Sequence, residues 1–128
     1  MDRAESTEKT GMIIHAAMKL HTALGPGLLE GAYRAIVTHA LRRAGLGVRT
    51  EVAVPLVYEG VSLDHAFRID LVVEDEIIVE VKAVQALLPV HKSQVLTYLR
   101  LSGRRVGLLI NFNESHLKDG IARVVNNW

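Results

Sequence analysis

The sequence predicts one mixed α/β (α+β) domain with elements in the order ααβββαβ(β), a mixed sheet with helices packed on it. Three observations predict it. Apolar residues recur at helical spacing as far as Ala44, the period changes to two from Val48, and a helical run and an apolar strand-like run follow Pro89. The 128 residues suit a single domain, 1–128, large enough to bury one core.

Residues 1–6 are polar and are expected to fray. From Thr7, the residues Ile13, Ala16, Ala17, Leu20 and Leu24 recur at i, i+3, i+4 spacing, and Gly25-Pro26-Gly27 breaks that helix. A second helix is expected from Leu28 to Ala44, with Tyr33, Ile36, Val37, Ala40 and Leu41 as its apolar stripe and Gly45 as its stop. Val48, Thr50, Val52, Val54, Leu56 and Tyr58 then alternate with more polar neighbours, as in a half-buried strand. Pro55 inside that run marks an edge position or a bulge. Glu59-Gly60 reads as a turn. Strands over 64–73 and 77–83 are joined by a hairpin connection at Glu74-Asp75-Glu76. Beyond Pro89 a helix is expected from Val90 to Leu101, closed by Gly103. Val106 to Phe112 is a continuous apolar run of the buried-strand kind. Leu117 to Asn126 fits a short helix or a strand, and Gly120 favours a turn followed by a strand.

The composition narrows the chemistry. The chain has no cysteine, which excludes disulfides and thiolate metal sites and agrees with a cytoplasmic setting. No apolar run approaches the ~18 residues of a membrane span, so no membrane partner is expected. The polar, acid-bearing stretch Met1–Lys9 does not read as a signal peptide. A net charge of +1 counts mildly against tight non-specific DNA binding, although metal-binding acids would cancel basic residues in the sum.

The hairpin carries the chemistry. A turn centred on residue 75 places Asp70 directly opposite Glu80, with Cβ atoms roughly 4.5–5.5 Å apart. Lys82, two residues beyond Glu80, shares that face. Two carboxylates this close repel, and a hard divalent cation would compensate. Mg²⁺ takes oxygen ligands and keeps waters, so two protein carboxylates suffice. A lysine alongside can hold a phosphate oxygen or orient water. The plainer alternative is an exposed salt-bridge ladder. Against it, Ile77-Ile78-Val79-Glu80-Val81-Lys82 is strongly apolar, and charges within such a strand need a reason.

Asp70…Glu80-Val81-Lys82 resembles the PD-(D/E)XK nuclease signature, and Gly27-Leu28-Leu29-Glu30-Gly31-Ala32-Tyr33 is similar to the GxxExxY motif of a small prokaryotic branch of that superfamily. Gln94-x-x-x-Tyr98 is similar to the helix motif of its lambda-exonuclease-like and RecB-like branches. Ile69 stands where the superfamily often has proline. The resemblance covers about Met12 to Val125. It implies a restriction-endonuclease-like core and a nuclease that cleaves nucleic acid, DNA before RNA, with Mg²⁺ or Mn²⁺. By the same resemblance Asp70, Glu80 and the backbone carbonyl of Val81 hold the metal. Glu30 completes the site directly or through water. Lys82 positions water and the scissile phosphate, Gln94 orients the site or contacts the DNA backbone, and Tyr98 packs beneath it or touches a phosphate.

Helix spacing puts Glu30 and Tyr33 on one face, and His91, Gln94 and Tyr98 on another. Tyr33 and His91 are therefore further candidates for substrate contact, with Tyr33 equally suited to core packing and His91 at the mouth of the site. The six histidines show no zinc-binding spacing. Arg68 is expected to share the Asp70 face. Arg42, Arg43, Arg49, Lys92, Arg100, Arg104 and Arg105 are the other candidates for phosphate contact. So small a domain covers few base pairs alone, which leaves self-association open. The alternative to an active nuclease is a catalytically silent nuclease-fold module that binds nucleic acid or a protein partner.

Overall fold

The computed structural model describes residues 1–128. Helices α1 (Arg3–Leu24) and α2 (Glu30–Arg43) precede strands β1 (Val48–Tyr58), β2 (Val61–Val73) and β3 (Ile77–Lys82). Helix α3 (Pro89–Ser102), strand β4 (Val106–Asn111), a 3₁₀ turn (Leu117–Gly120) and strand β5 (Ile121–Val125) complete the chain. The five strands lie in the order β1-β2-β3-β4-β5. Only β3 and β4 run parallel, because α3 carries the chain back between them. The α+β fold with a five-stranded mixed sheet agrees with a restriction-endonuclease-like core. No helix is long and apolar enough to cross a membrane.

Two apolar clusters divide the molecule into layers. Ile77, Val79 and Val81 of β3 pack with Ile13 and Ala17 of α1 and Tyr33 and Val37 of α2. Ile78 faces the other way, into a cluster with Val95 and Leu99 of α3 and Leu109 of β4. Burial on both faces explains why β3 and β4 read as near-continuous apolar runs.

Local differences from the sequence expectations have physical reasons. Residues 3–6, expected to fray, are helical. The Asp2 side chain accepts the Glu5 N–H at 2.8 Å, and Ser6 is buried. Helix α2 begins at Glu30 rather than Leu28, since Gly27 at φ 106° and an extended Leu29 hold the preceding turn outside the helix. Edge strand β1 has the irregularity that Pro55 announces, a register shift between Val54 and Leu56.

The larger departure lies in β1 and β2. Their pairing passes from Thr50↔Leu71 to Val52↔Ile69, and Glu51 between them takes a left-handed φ of 50°. Val48, Leu71 and Val73 belong to the α1/α2 cluster, whereas Val52, Val54, Phe67 and Ile69 belong to the α3 cluster. Both strands thus change face together at Glu51 and Asp70. Period-two alternation does not carry across that point.

Gly107 of β4 lies where α3 crosses closest. A Cβ there would stand 2.6 Å from Val95 Cγ1. Gly107→Ala is expected to lower stability by about 1–3 kcal/mol through overpacking. Urea unfolding measures the loss, and adding Val95→Ala should recover part of it.

Candidate functional site

The β2–β3 ladder pairs Val73 with Ile77, Val72 with Ile78 and Leu71 with Val79, and stops there. The next residues are Asp70 and Glu80, facing each other as the turn at residue 75 requires. β3 stays in register with β4 through Lys82↔Asn111, whereas β2 turns away at Asp70. Side chains fill the opening. Glu80 Oε1 accepts the Asp70 N–H at 3.0 Å, and Asp70 Oδ2 accepts the Val81 N–H at 2.9 Å. Each acid therefore satisfies a backbone donor that the parted strands leave behind.

The pair is sheltered. Glu80 is 5% exposed and the Asp70 side chain 17%. Burial, and next the charge of Asp70, push the Glu80 carboxyl up to about 8, with the charge of Lys82 opposing. Lys82 is half-buried at the end of β3 and makes no ion pair. From the α3 side, Tyr98 stacks on Phe67 at 4.3 Å between ring centres. Its phenol pKa is raised by burial first and then by the charges of Glu80 and Asp70. From the α2 side, Arg34 Nη1 lies 3.5 Å from Asp70 Oδ1.

The other expected residues are distributed differently. Of Glu30, Asp70 and Glu80, two are brought together, and no group of three or more Asp, Glu, His or Cys is arranged to hold a metal. Glu30 stands half-buried at the start of α2, where the helix dipole favours an acid. Tyr33 takes the core-packing place that its spacing also allowed. It is fully buried and stacked on Phe112, and its hydroxyl donates to the Gly25 carbonyl and accepts the Leu28 N–H. It thereby fixes the turn that delivers Glu30. His91 is committed to α3, where its Nδ1 accepts the Leu88 N–H at 2.9 Å. Gln94 is exposed. Arg68 is exposed beside Ala53, and the face change at Asp70 removes the reason for expecting it on the Asp70 face. Arg49 and Arg104 both pair with Asp75 in the hairpin turn, and Arg42 donates to the Val48 carbonyl.

Two residues join the site without a motif to announce them. Arg34 is signalled only by its place one turn after Glu30. Asn111, fully buried beside Lys82, accepts the Val84 N–H and donates to the Val84 carbonyl, so it anchors the chain leaving β3. Its signal is a lone amide in an apolar run.

Two converging carboxylates, an adjacent lysine and oxygen-only donors suit a hard divalent cation next to a phosphate. The family described as the PD-(D/E)XK nuclease superfamily matches residues 7–124. No curated protein and no solved structure gives a significant match.

Glu80 yields a pH dependence. Folded, it keeps its proton to about pH 8, whereas the unfolded chain releases it near 4.5. Between those values the folded state binds more protons, so rising pH favours unfolding. Without metal, stability is expected to fall from about pH 5 to pH 8 and then level off. Urea titrations across that range should show the slope in the wild type and its loss in Glu80→Gln.

Proposed function

The chain belongs to the PD-(D/E)XK nuclease superfamily, and from that premise we propose a metal-dependent nuclease of the GxxExxY branch that hydrolyses phosphodiester bonds in DNA. The observation that supports this most is the interlocked Asp70–Glu80 pair at the point where β2 and β3 part.

The donor set fits Mg²⁺, with Mn²⁺ as a substitute. Asp70 and Glu80 offer hard oxygens and share one sheltered opening. Val81 gives its N–H to Asp70, and in an extended strand its carbonyl points to the same side. These three groups would hold the ion, and Glu30 would reach it through water from the start of α2. Bound there, the metal supplies an acidified water and a counter-charge for the phosphate.

The remaining roles belong to the protein. Lys82, free of ion pairs, holds a non-bridging phosphate oxygen or orients the attacking water. Tyr98 walls the pair off on the α3 side. Asn111 fixes the chain beyond Lys82 and so limits how far the strand end can move. Gln94, exposed one turn before Tyr98, would contact the DNA backbone.

A second reading, a silent module that binds nucleic acid or a protein, draws support from the net charge of +1 and from Glu30 standing apart from the acid pair. Incubation of linear and plasmid DNA with Mg²⁺ or Mn²⁺ separates the two. Cleavage should stop with EDTA and with Glu80→Ala, and should fall roughly 10²–10³-fold in Lys82→Ala. Cleavage that survives EDTA and Glu80→Ala does not come from this site. DNA that is bound but stays intact at high protein concentration favours the silent module.

A further inference from the structure

Arg34 is the residue the nuclease reading leaves without a task. It pairs with Asp70 from α2, one turn beyond Glu30. Its guanidinium lies back over the first turn of that helix, with Nη2 3.7 Å from where a Cβ on Gly31 would sit. The group thus spans from the turn that carries Glu30 to Asp70.

The contact has the character of a temporary one. It is a single approach of 3.5 Å rather than a bidentate fork, and the Arg34 side chain makes no hydrogen bond elsewhere. Arg34 is 31% exposed, so it has solvent to move into, whereas Asp70 is held by the Val81 N–H. The two oxygens of Asp70 divide the work. Oδ2 belongs to the backbone, and Oδ1 is the one that Arg34 covers.

We infer that Arg34 is an exchangeable counter-ion and substrate-positioning residue: it neutralises Asp70 in the resting protein, leaves when a divalent cation takes Oδ1, and then binds a phosphate of the nucleic-acid backbone. This rests on the nuclease reading for the identity of the anion and the cation. The physical basis is elementary. A guanidinium and a divalent cation on one carboxylate oxygen repel each other. Once displaced, a planar five-donor group on a helix beside the site matches a phosphate better than any other anion expected there. Metal and substrate become coupled. The metal must compete with Arg34 for Asp70, and so frees the residue that helps to bind the substrate.

The two halves predict opposite signs for one substitution, which a merely structural arginine would not show. Calorimetric titration of Mn²⁺ into the whole chain, without nucleic acid, is expected to give about three- to ten-fold tighter binding in Arg34→Gln, because the competitor is gone. Arg34→Lys keeps the charge and is expected to stay within about two-fold of the wild type. With Ca²⁺ present, binding of a duplex oligonucleotide should weaken about ten-fold in Arg34→Gln, and the slope of log affinity against log salt should become shallower by about one. Mn²⁺ affinity that is unchanged or lower in Arg34→Gln overturns the exchange. An unchanged salt slope overturns the phosphate contact. Asp70→Asn separates this inference from the nuclease reading. If the wild type binds Mn²⁺ and Asp70→Asn does not, the metal site stands and Arg34 is judged on its own result. If the wild type fails to bind Mn²⁺, or Asp70→Asn binds it equally well, both readings fall together.

Discussion

Backbone hydrogen bonds must go somewhere, and at Asp70 the sheet can no longer supply them. β2 changes face there with β1, while β3 continues along β4. The N–H groups of Asp70 and Val81 would be stranded in a sheltered place, at a cost of about 1–3 kcal/mol each. The carboxylates of Glu80 and Asp70 accept them instead. The acids are therefore part of the sheet's own hydrogen bonding before they are anything else. One oxygen of each is given to the backbone and the second is left for a cation. For Asp70 in this structure that cation is Arg34.

This division ties site to scaffold. A β2 that stayed in the ladder past Leu71 would pair its backbone normally, and the two carboxylates would lie side by side on one face. Where the strands part, Arg34 of α2 pairs with Asp70, and Tyr98 of α3 stacks on Phe67 of β2. The supports are polar groups inside apolar packing. Tyr33 ties down the turn from Gly25 to Leu28, and Asn111 ties down Val84. Both spend their polar atoms on the backbone and so fix the chain on either side of the acid pair.

Much of this was legible in the residues. Periodicity and turn chemistry placed the helices and strands in their observed order. The turn at residue 75 brought Asp70 opposite Glu80, because hairpin register follows from turn position alone. The face change was not legible. It depends on a left-handed Glu51 that no local preference announces, and with it went the inference about Arg68. The hydroxyl of Tyr33 and the Nδ1 of His91 are taken by neighbouring backbone groups, which spacing alone does not announce. The Asp2-x-x-Glu5 start of α1 was present in the sequence, yet polarity at a chain end reads as fraying unless the cap is weighed. Arg34 was hidden for a different reason. Spacing puts it on the Glu30 face, but only the packing of α2 against the sheet names its partner.

Charge pairing also changes what the net charge of +1 means. Several cations are spent inside the molecule. Arg49 and Arg104 hold Asp75, Lys9 holds Glu74, and Arg34 holds Asp70. The first two sets brace the hairpin turn at the end of β2 and β3 remote from the acid pair. Their partners sit in a turn with left-handed backbone at Glu74 and Asp75, so releasing them would loosen the register that aligns Asp70 with Glu80. Arg34 differs in place. Like Lys9, it pairs with a carboxylate whose other oxygen accepts a backbone N–H, Gly47 for Glu74 and Val81 for Asp70. Lys9 braces the turn that sets the register, whereas Arg34 stands at the acid pair itself, where Asp70 stays anchored by the Val81 N–H if the guanidinium leaves.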